Sequence, residues 1–324
     1  MSSYIIRRLL SLFPVLLGAA TIVWICLFLL PGDPARLIAG GMSADPEVLE
    51  SIREEWHLDA PPIAQYAIYL GKLVRGDLGT SYIQRRPVIE IIGEHLPATI
   101  ILAIAAILIS ATFGLLLRTL AAFYRGRLID SGVLVLALLG SSTPVFWLGL
   151  MLMLLFAARL SWFPVLGYGM DGAVLPILGI RLPEWDHLVL PAVTLSLVSL
   201  GSIARLTRAS LLETGQADYL RTASAKGGST FRIFALHALS NALIPVVTVL
   251  GIDFAGMLGG AVATEYVFAW PGLGKAIVRG IALRDLPLVE GGVLVLTTIF
   301  VLVNLLVDLS YTWLDPRIQL DARR

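Results

Sequence analysis

Charge is scarce in this chain. Asp, Glu, Lys and Arg make up 15% of its 324 residues, and their formal sum is +1. A charge so small and so balanced excludes a general electrostatic attraction to nucleic acid. Cysteine is nearly absent: Cys26 stands alone inside an apolar run, which rules out a disulfide framework and a cysteine metal cluster. The four histidines, His57, His95, His187 and His237, are scattered at no metal-ligand spacing, so no metal site is expected. There is no serine elbow, no paired catalytic acids and no HExxH run. Gly274 and Lys275 do not form a phosphate-binding loop, because Ala269 and Ala276 stand where glycine and Ser or Thr are required. No short internal repeat stands out. These absences leave the chain without a catalytic constellation and without a cofactor of its own.

What is abundant is apolar. Hydrophobic residues make up 57% of the chain, and its mean hydropathy is +0.84. Neither value is that of a soluble globular protein. Six apolar stretches stand out, at about residues 9–30, 97–117, 132–158, 188–204, 242–264 and 291–307. At 1.5 Å per helical residue, stretches of this order cross a hydrocarbon core of roughly 30 Å. The expected fold is therefore all-α and integral to a membrane, with six transmembrane helices. The first stretch is too long for a cleaved signal peptide, and no small-x-small site follows it. Arg7 and Arg8 before it lack the flanks of a twin-arginine export signal.

The organisation follows. Residues 1–30 hold the N-terminus and first span, and 31–96 form a polar external segment. Residues 97–315 hold five further spans with a polar loop at 210–241, and 316–324 form a tail. Within the external segment, Asp45 and Pro46 start a helix whose face is Val48, Leu49, Ile52 and Trp56. Ile63, Tyr66, Ala67, Leu70 and Val74 line a second. Both faces are expected to pack as a small external layer between spans 1 and 2. Arginine and lysine concentrate in the N-terminus, the loop after span 2, the 210–241 loop and the tail. The excess of positive charge puts those segments, and both chain ends, in the cytoplasm.

Four features inside and beside the spans bear on mechanism. Asp253 sits near the middle of the fifth span, where an Asp costs roughly 2.5–3.5 kcal/mol. It either lines a pathway and favours cationic cargo, or makes a structural hydrogen bond to a neighbouring helix. Gly251, Ala255, Gly259 and Ala263 recur at four-residue spacing on the same span, with Gly256 and Gly260 beside them, which points to a tight helix-packing seam. Pro144, after Ser142 and Thr143, is expected to kink the third span, either lining a pathway or serving packing. Glu265 to Gly274 reads EYVFAWPGLG, with aromatics suited to a membrane interface and a Pro-Gly turn.

The stretch 216–245 carries the most specific words. Ala217, Leu220, Ala223 and Ser224 make a slim helical face, Gly227 and Gly228 permit a turn, and Ser229 or Thr230 caps a second helix. By composition alone this is an amphipathic linker. The run Asp218, Tyr219, x, Arg221, Thr222, Ala223, x, Ala225, Lys226, Gly227, followed by His237, Asn241, Ala242 and Pro245, resembles the cytoplasmic loop of one family. That family is the membrane permease subunit of dipeptide, oligopeptide and nickel ABC importers. Of the family's more general Glu-Ala-Ala-x-x-x-Gly form, only Ala223 and Gly227 match. The 30–35, 76–79, 142–149, 265–274 and 314–317 stretches fit the same family, so the resemblance covers nearly the whole chain.

The resemblance implies a permease of the type I ABC importer kind in a bacterial inner membrane. The loop residues Asp218, Tyr219, Arg221, Thr222, Ala223, Ala225, Lys226 and Gly227 would form a helix coupled to a separate ATPase. ATP and magnesium would bind on two partner ATPase subunits, a second homologous permease would complete the pathway, and an external binding protein would deliver cargo. On the pathway alternative given above for each, Asp253, Ser142 and Pro144 would line it. Peptides are the implied cargo, with glutathione, nickel or another small solute as the alternative. A proton-coupled secondary transporter is the rival from another class, but no inverted repeat supports it. A polytopic membrane enzyme lacks its catalytic groups.

Overall fold

The computed structural model describes residues 2–29, 35, 36, 39, 45–55, 58–123, 132, 140, 142–169, 174, 175, 180–214 and 240–314. Among them the chain is helical apart from one antiparallel pair of two-residue strands, Val174–Leu175 with Ile180–Arg181. Four helices are long and apolar enough to cross a membrane: Val88–Leu116, Trp185–Thr207, Val246–Val267 and Leu286–Val307. Leu10–Cys26 and Val145–Arg159 are shorter apolar helical segments. The described residues divide into two compact units.

The first unit lies within Met1–Pro97 and Pro271–Ile299. Helix α1 (Ser2–Phe28) has 27 residues, about 40 Å of rise. Helix α2 (Pro46–Glu55) starts at the expected place, with Asp45 Oδ1 accepting the Glu47 N–H at 3.2 Å. Its Ile52 is buried, and Leu49 packs with it against Ala35 and Tyr82. The Val48 side chain and Trp56 lie outside the described residues. Helix α3 (Pro62–Val74) turns inward a face that only partly overlaps the expected one, sharing Tyr66 and Leu70 with it. Ile63 and Val74 are 84% and 85% exposed, whereas Tyr66, Tyr69, Leu70 and Leu73 are half-buried. The helix is apolar on more than one side, and α1 decides which side is used. Tyr66 meets the Trp24 ring at 5.2 Å, and its hydroxyl shares a 2.6 Å hydrogen bond with Thr21 Oγ1.

Gly76, at φ +75°, ends α3, with its N–H on Leu73 O and the Asp77 N–H on Lys72 O. A tight hairpin follows, closed by Val88 N–H on Gly79 O and Ser81 N–H on Arg86 O. Helix α4 (Val88–Phe123) then begins, upstream of residue 97, and Pro97 lies within it. The polar residues before Pro97 belong to an amphipathic helical start. Arg86 reaches Glu94 at 2.5 Å and Glu90 at 3.5 Å on the outer side, while Val88, Ile91 and Ile92 are buried on the other. Helix α8 (Leu273–Leu283) and the start of α9 (Leu286–Leu314) complete the unit. Its core is Val88, Ile91, Ile92, Leu273, Ile277, Leu288 and Val289. A Cβ at Gly291 or Gly292 would lie 2.7 Å from Val88 or Ile277, so glycine is what lets α9 approach there.

The second unit lies within Ala98–Trp270 and Phe300–Arg324. It holds the rest of α4, helix α5 (Val145–Leu152), helices α6 (Trp185–Thr214) and α7 (Ser240–Val267), and the end of α9. Residues Met153–Arg159 continue α5 as a π-helix. Pro144 interrupts the chain where a kink inside a continuous helix was expected. It is extended, at φ −58° and ψ 132°, and α5 starts after it. A proline ring disfavours helical geometry in the residue before it, which turns the bend into a break. Helix α6 packs against α7 along much of its length, and α5 touches both. Ser110 Oγ donates to Ser196 O at 2.7 Å, tying α4 to α6.

Candidate functional site

Every residue of the expected coupling set, Asp218, Tyr219, Arg221, Thr222, Ala223, Ala225, Lys226 and Gly227, lies outside the described residues. The helices that carry that stretch are described: α6 ends at Thr214 and α7 begins at Ser240. The candidate site is therefore built from the α6–α7 pair.

Asp253 lies on α7 and is half-buried. Ser202 Oγ on α6 donates to its Oδ2 at 3.0 Å. The same hydroxyl lies 2.8 Å from Ser199 O, so one proton serves two acceptors. Three further α6 hydroxyls bond within their own helix. Thr194 donates to Leu190 O, Ser196 to Val193 O and Thr207 to Ile203 O, at 2.7–2.8 Å. A bond from Asp253 to a neighbouring helix was one of the two expectations, but this partner was not foreseen. The signal was present in Ser196, Ser199 and Ser202, whose three-residue spacing puts them on one side of α6. Among the described residues no Lys or Arg forms an ion pair with Asp253.

The small residues of α7 separate into two kinds. A Cβ on Gly251 would run into the Val307 side chain, so α9 approaches α7 closely there. Ala255 is fully buried and Ala263 is half-buried. Gly256, Gly259 and Gly260 have no atom within 4 Å of an added Cβ. Of the other expected pathway residues, Ser142 and Pro144 are both exposed.

The EYVFAWPGLG stretch forms a rigid turn. Ala269, at φ +53°, ends α7 in the left-handed conformation, with its N–H on Tyr266 O and the Trp270 N–H on Glu265 O. Trp270 and Phe268 are buried, where an interfacial position was expected, and only Tyr266 is well exposed. Trp270 Nε1–H donates to Ala98 O at 2.9 Å, and its ring meets Tyr168 edge-on at 4.6 Å. Gly167 N–H reaches Phe268 O. Burial raises the Tyr168 phenol above its ordinary range. Glu265 is fully buried and accepts the Thr99 hydroxyl at 2.6 Å.

One group of chemistry-bearing residues was missed by reading histidines alone. Glu184, Asp186 and His187 place a ligand atom each within 4.8 Å of one another. His187 Nδ1 is 3.2 Å from Asp186 and 3.5 Å from Glu184. Both acids also stand at the start of α6, where the helix dipole favours negative charge.

Comparison with known proteins agrees with this geometry. Residues 114–320 match the family described as binding-protein-dependent transport system inner membrane component, and residues 1–103 match its N-terminal family. A dipeptide transport system permease protein of Alkalihalophilus pseudofirmus is 40% identical over 335 residues, covering 98% of this chain and 100% of that one. A di/tripeptide transport system permease protein of Pseudomonas aeruginosa is 41% identical, covering 98% and 99%. A glutathione transport system permease protein of Salmonella typhi is 39% identical, again covering 98% and 99%. The crystal structure of an amino acid ABC transporter with histidines superposes with a TM-score of 0.53 at 14% identity, over 69% of this chain and 94% of that one.

Proposed function

The chain belongs to the family of binding-protein-dependent transport system inner membrane components, and from that premise we propose that it forms part of the pathway by which an ATP-driven importer carries peptides across the inner membrane. The observation that carries the cargo is identity of about 40%, over essentially the full length, to permeases named for dipeptides and di/tripeptides. Glutathione is the second reading, favoured by the relative named for it. It is itself a small peptide-like zwitterion, so the same kind of pathway suits it.

The chain crosses the membrane six times. The four long apolar helices supply four spans; Leu10–Cys26 within α1 and Val145–Arg159 supply the others. Both ends and the 210–241 loop are cytoplasmic, on the distribution of arginine and lysine. The segment between spans 1 and 2 forms the external layer, which is where α2, α3 and the 79–88 hairpin belong. Two ATPase subunits hold ATP and magnesium, and one of them receives the stretch Asp218 to Gly227. A second permease and an external binding protein complete the machine. ATP-driven closure of the ATPases moves the coupling stretch and switches the pathway between its two sides, so this chain performs conformational work and no covalent chemistry.

The test is purification of the tagged chain in mild detergent with identification of what stays bound, together with peptide uptake in vesicles. The expected outcome is a second permease and ATPase subunits in the eluate, and uptake that stops when ATP is depleted with the proton gradient held. A chain that purifies alone and transports without ATP refutes the reading.

A further inference from the structure

The edge of α7 that carries Asp253 is unlike the rest of that helix. At 100° per residue, Gly260 lies about 20° from Asp253 around the helix axis and Gly256 about 60° away. Both have open space where a side chain would stand. Ile252 and Gly259 continue the same arc and are exposed. On Asp253's other flank, Met257, Leu258 and Ala255 are buried. Asp253 therefore marks the border between the packed side of α7 and an open trough whose floor is glycine backbone.

A half-exposed carboxylate in a membrane span faces water or protein in preference to lipid. It has a hydroxyl partner in Ser202 and no cationic one among the described residues. Arg205, on the same helix as Ser202, is exposed and makes no ion pair with it. Among the described residues, what this group lacks is a cation. A glycine floor lets the backbone of something extended pass close by.

We propose that Asp253, oriented by Ser202, is the subsite that receives the ammonium group of the cargo as it moves along the Gly256–Gly260 trough. The cargo class is a small molecule with a free protonated amine, and Asp253 is a specificity residue for it. This rests on the peptide-importer reading given above. The carboxylate end of a zwitterionic peptide must then be met by donors outside this α6–α7 pair.

Two arms test it. The first uses the assembled importer in vesicles, loaded with ATP, with dialanine and N-acetyl-dialanine as cargo. Wild type is expected to import dialanine and to prefer it over the acetylated form. Asp253→Asn is expected to lower dialanine uptake about tenfold and to narrow the preference, because the neutral amide no longer pairs with the ammonium. Asp253→Glu, which keeps the charge, is expected to retain most of it. If wild type imports dialanine and Asp253→Asn does so equally well, the subsite is wrong while the importer reading stands. If wild type imports no peptide, the importer reading itself has failed. A loss in Asp253→Asn that is equal for both cargoes also overturns the subsite.

The second arm does not depend on that variant assembling. Cys26 is the only cysteine, so Cys26→Ser with Gly256→Cys places one thiol in the trough, where there is room for it. Aminoethyl methanethiosulfonate is expected to react about tenfold faster than the sulfonatoethyl reagent, after correction for free cysteine, because the nearby carboxylate concentrates cations. Saturating dialanine is expected to protect the thiol and N-acetyl-dialanine to leave it reactive. A thiol that reacts with neither reagent, as when a partner helix covers the face, refutes the proposal, as does equal reactivity with both.

Discussion

Replacing Asp285 by alanine removes the acceptor of two buried hydrogen bonds. Asp285 is 2% exposed and is the second of the two residues between α8 and α9. Its carboxylate accepts the Ser81 hydroxyl through a short contact and the Tyr82 N–H at 2.9 Å. Ser81 Oγ in turn accepts the Gln84 N–H at 2.9 Å. The 79–88 hairpin is thus tied across about 200 residues of sequence to the α8–α9 turn. Each donor left buried without a partner costs about 1–3 kcal/mol. The Ser81 hydroxyl has freedom to rotate, so the lower part of that range applies to it, and about 3 kcal/mol is expected for Asp285→Ala in total. Asp285→Asn keeps a carbonyl for the Tyr82 N–H. Its amide N–H then meets a Ser81 oxygen already accepting from Gln84, so one mismatch remains, of about 1 kcal/mol.

The hairpin tip offers the readout. Arg85 is exposed, at φ +55°, and the Arg85–Arg86 bond is a trypsin site protected while the hairpin is closed. When opening is fast relative to cleavage, the rate follows the open population. At 1.4 kcal/mol per tenfold, Asp285→Ala is cut about 100-fold faster than wild type and Asp285→Asn about fivefold faster. An N-terminal tag identifies the fragment ending at Arg85. Cleavage of Asp285→Ala within a factor of two of wild type refutes the clamp. So does equal cleavage of the two variants, because the reasoning separates them by the one bond that asparagine keeps.

Ala269 occupies a left-handed position that glycine fills without strain. Ala269→Gly is expected to stabilise the detergent-solubilised protein by about 1 kcal/mol, read as a rise of a few degrees in Tm. Gly251→Val drives a side chain into Val307 and is expected to cost about 1–3 kcal/mol, with part of the loss recovered by adding Val307→Ala; thermal midpoints of the single and double variants check it. Gly227→Val is expected to leave membrane insertion intact and abolish ATP-dependent uptake, since a β-branched residue resists the turn. Uptake at the wild-type rate would remove the coupling role from that loop.

How legible these features were depended on whether one stretch of sequence contained the cause. The α2 start was legible because Asp45 and Pro46 are adjacent and act locally. The long apolar helices were legible by length alone. The inward side of α3 was not, because its apolar residues allow two faces and the choice is made by Thr21 and Trp24 on α1. The start of α4 was misplaced for a related reason. Glu90, Glu94 and His95 fall in the stretch assigned to the polar external segment, but the charges share a helix with Ile91 and Ile92, which bury the other side. Phe268 and Trp270 fitted an interfacial belt by type. Phe268 packs with Ala157 and Leu190, and Trp270 meets Tyr168 and Ala98, all far off in sequence. In the site, the acid was visible and its serine was not, since helix register across a bilayer span is set by packing.

The placement of polar contacts argues for what Asp253 does. Glu265 with Thr99, Trp270 with Ala98, His95 with Pro271 and Asp285 with Ser81 all stand at or near helix ends. There they fix turns, and the hydrogen bond itself accounts for the polar residue. Within α6 the hydroxyls of Thr194, Ser196 and Thr207 are satisfied by their own helix and ask nothing of a neighbour. The Ser202–Asp253 pair joins two spans in mid-helix, as Ser110 and Ser196 do, but it differs from that pair in setting a carboxylate there. For packing alone, a neutral Asn or Gln would make the same hydrogen bond without placing a charge in the span. On the proposal above the surplus is the charge, and its use is the ammonium group of the passing cargo. On this argument Asp253→Asn is the decisive substitution, because it removes the charge and leaves the hydrogen bond.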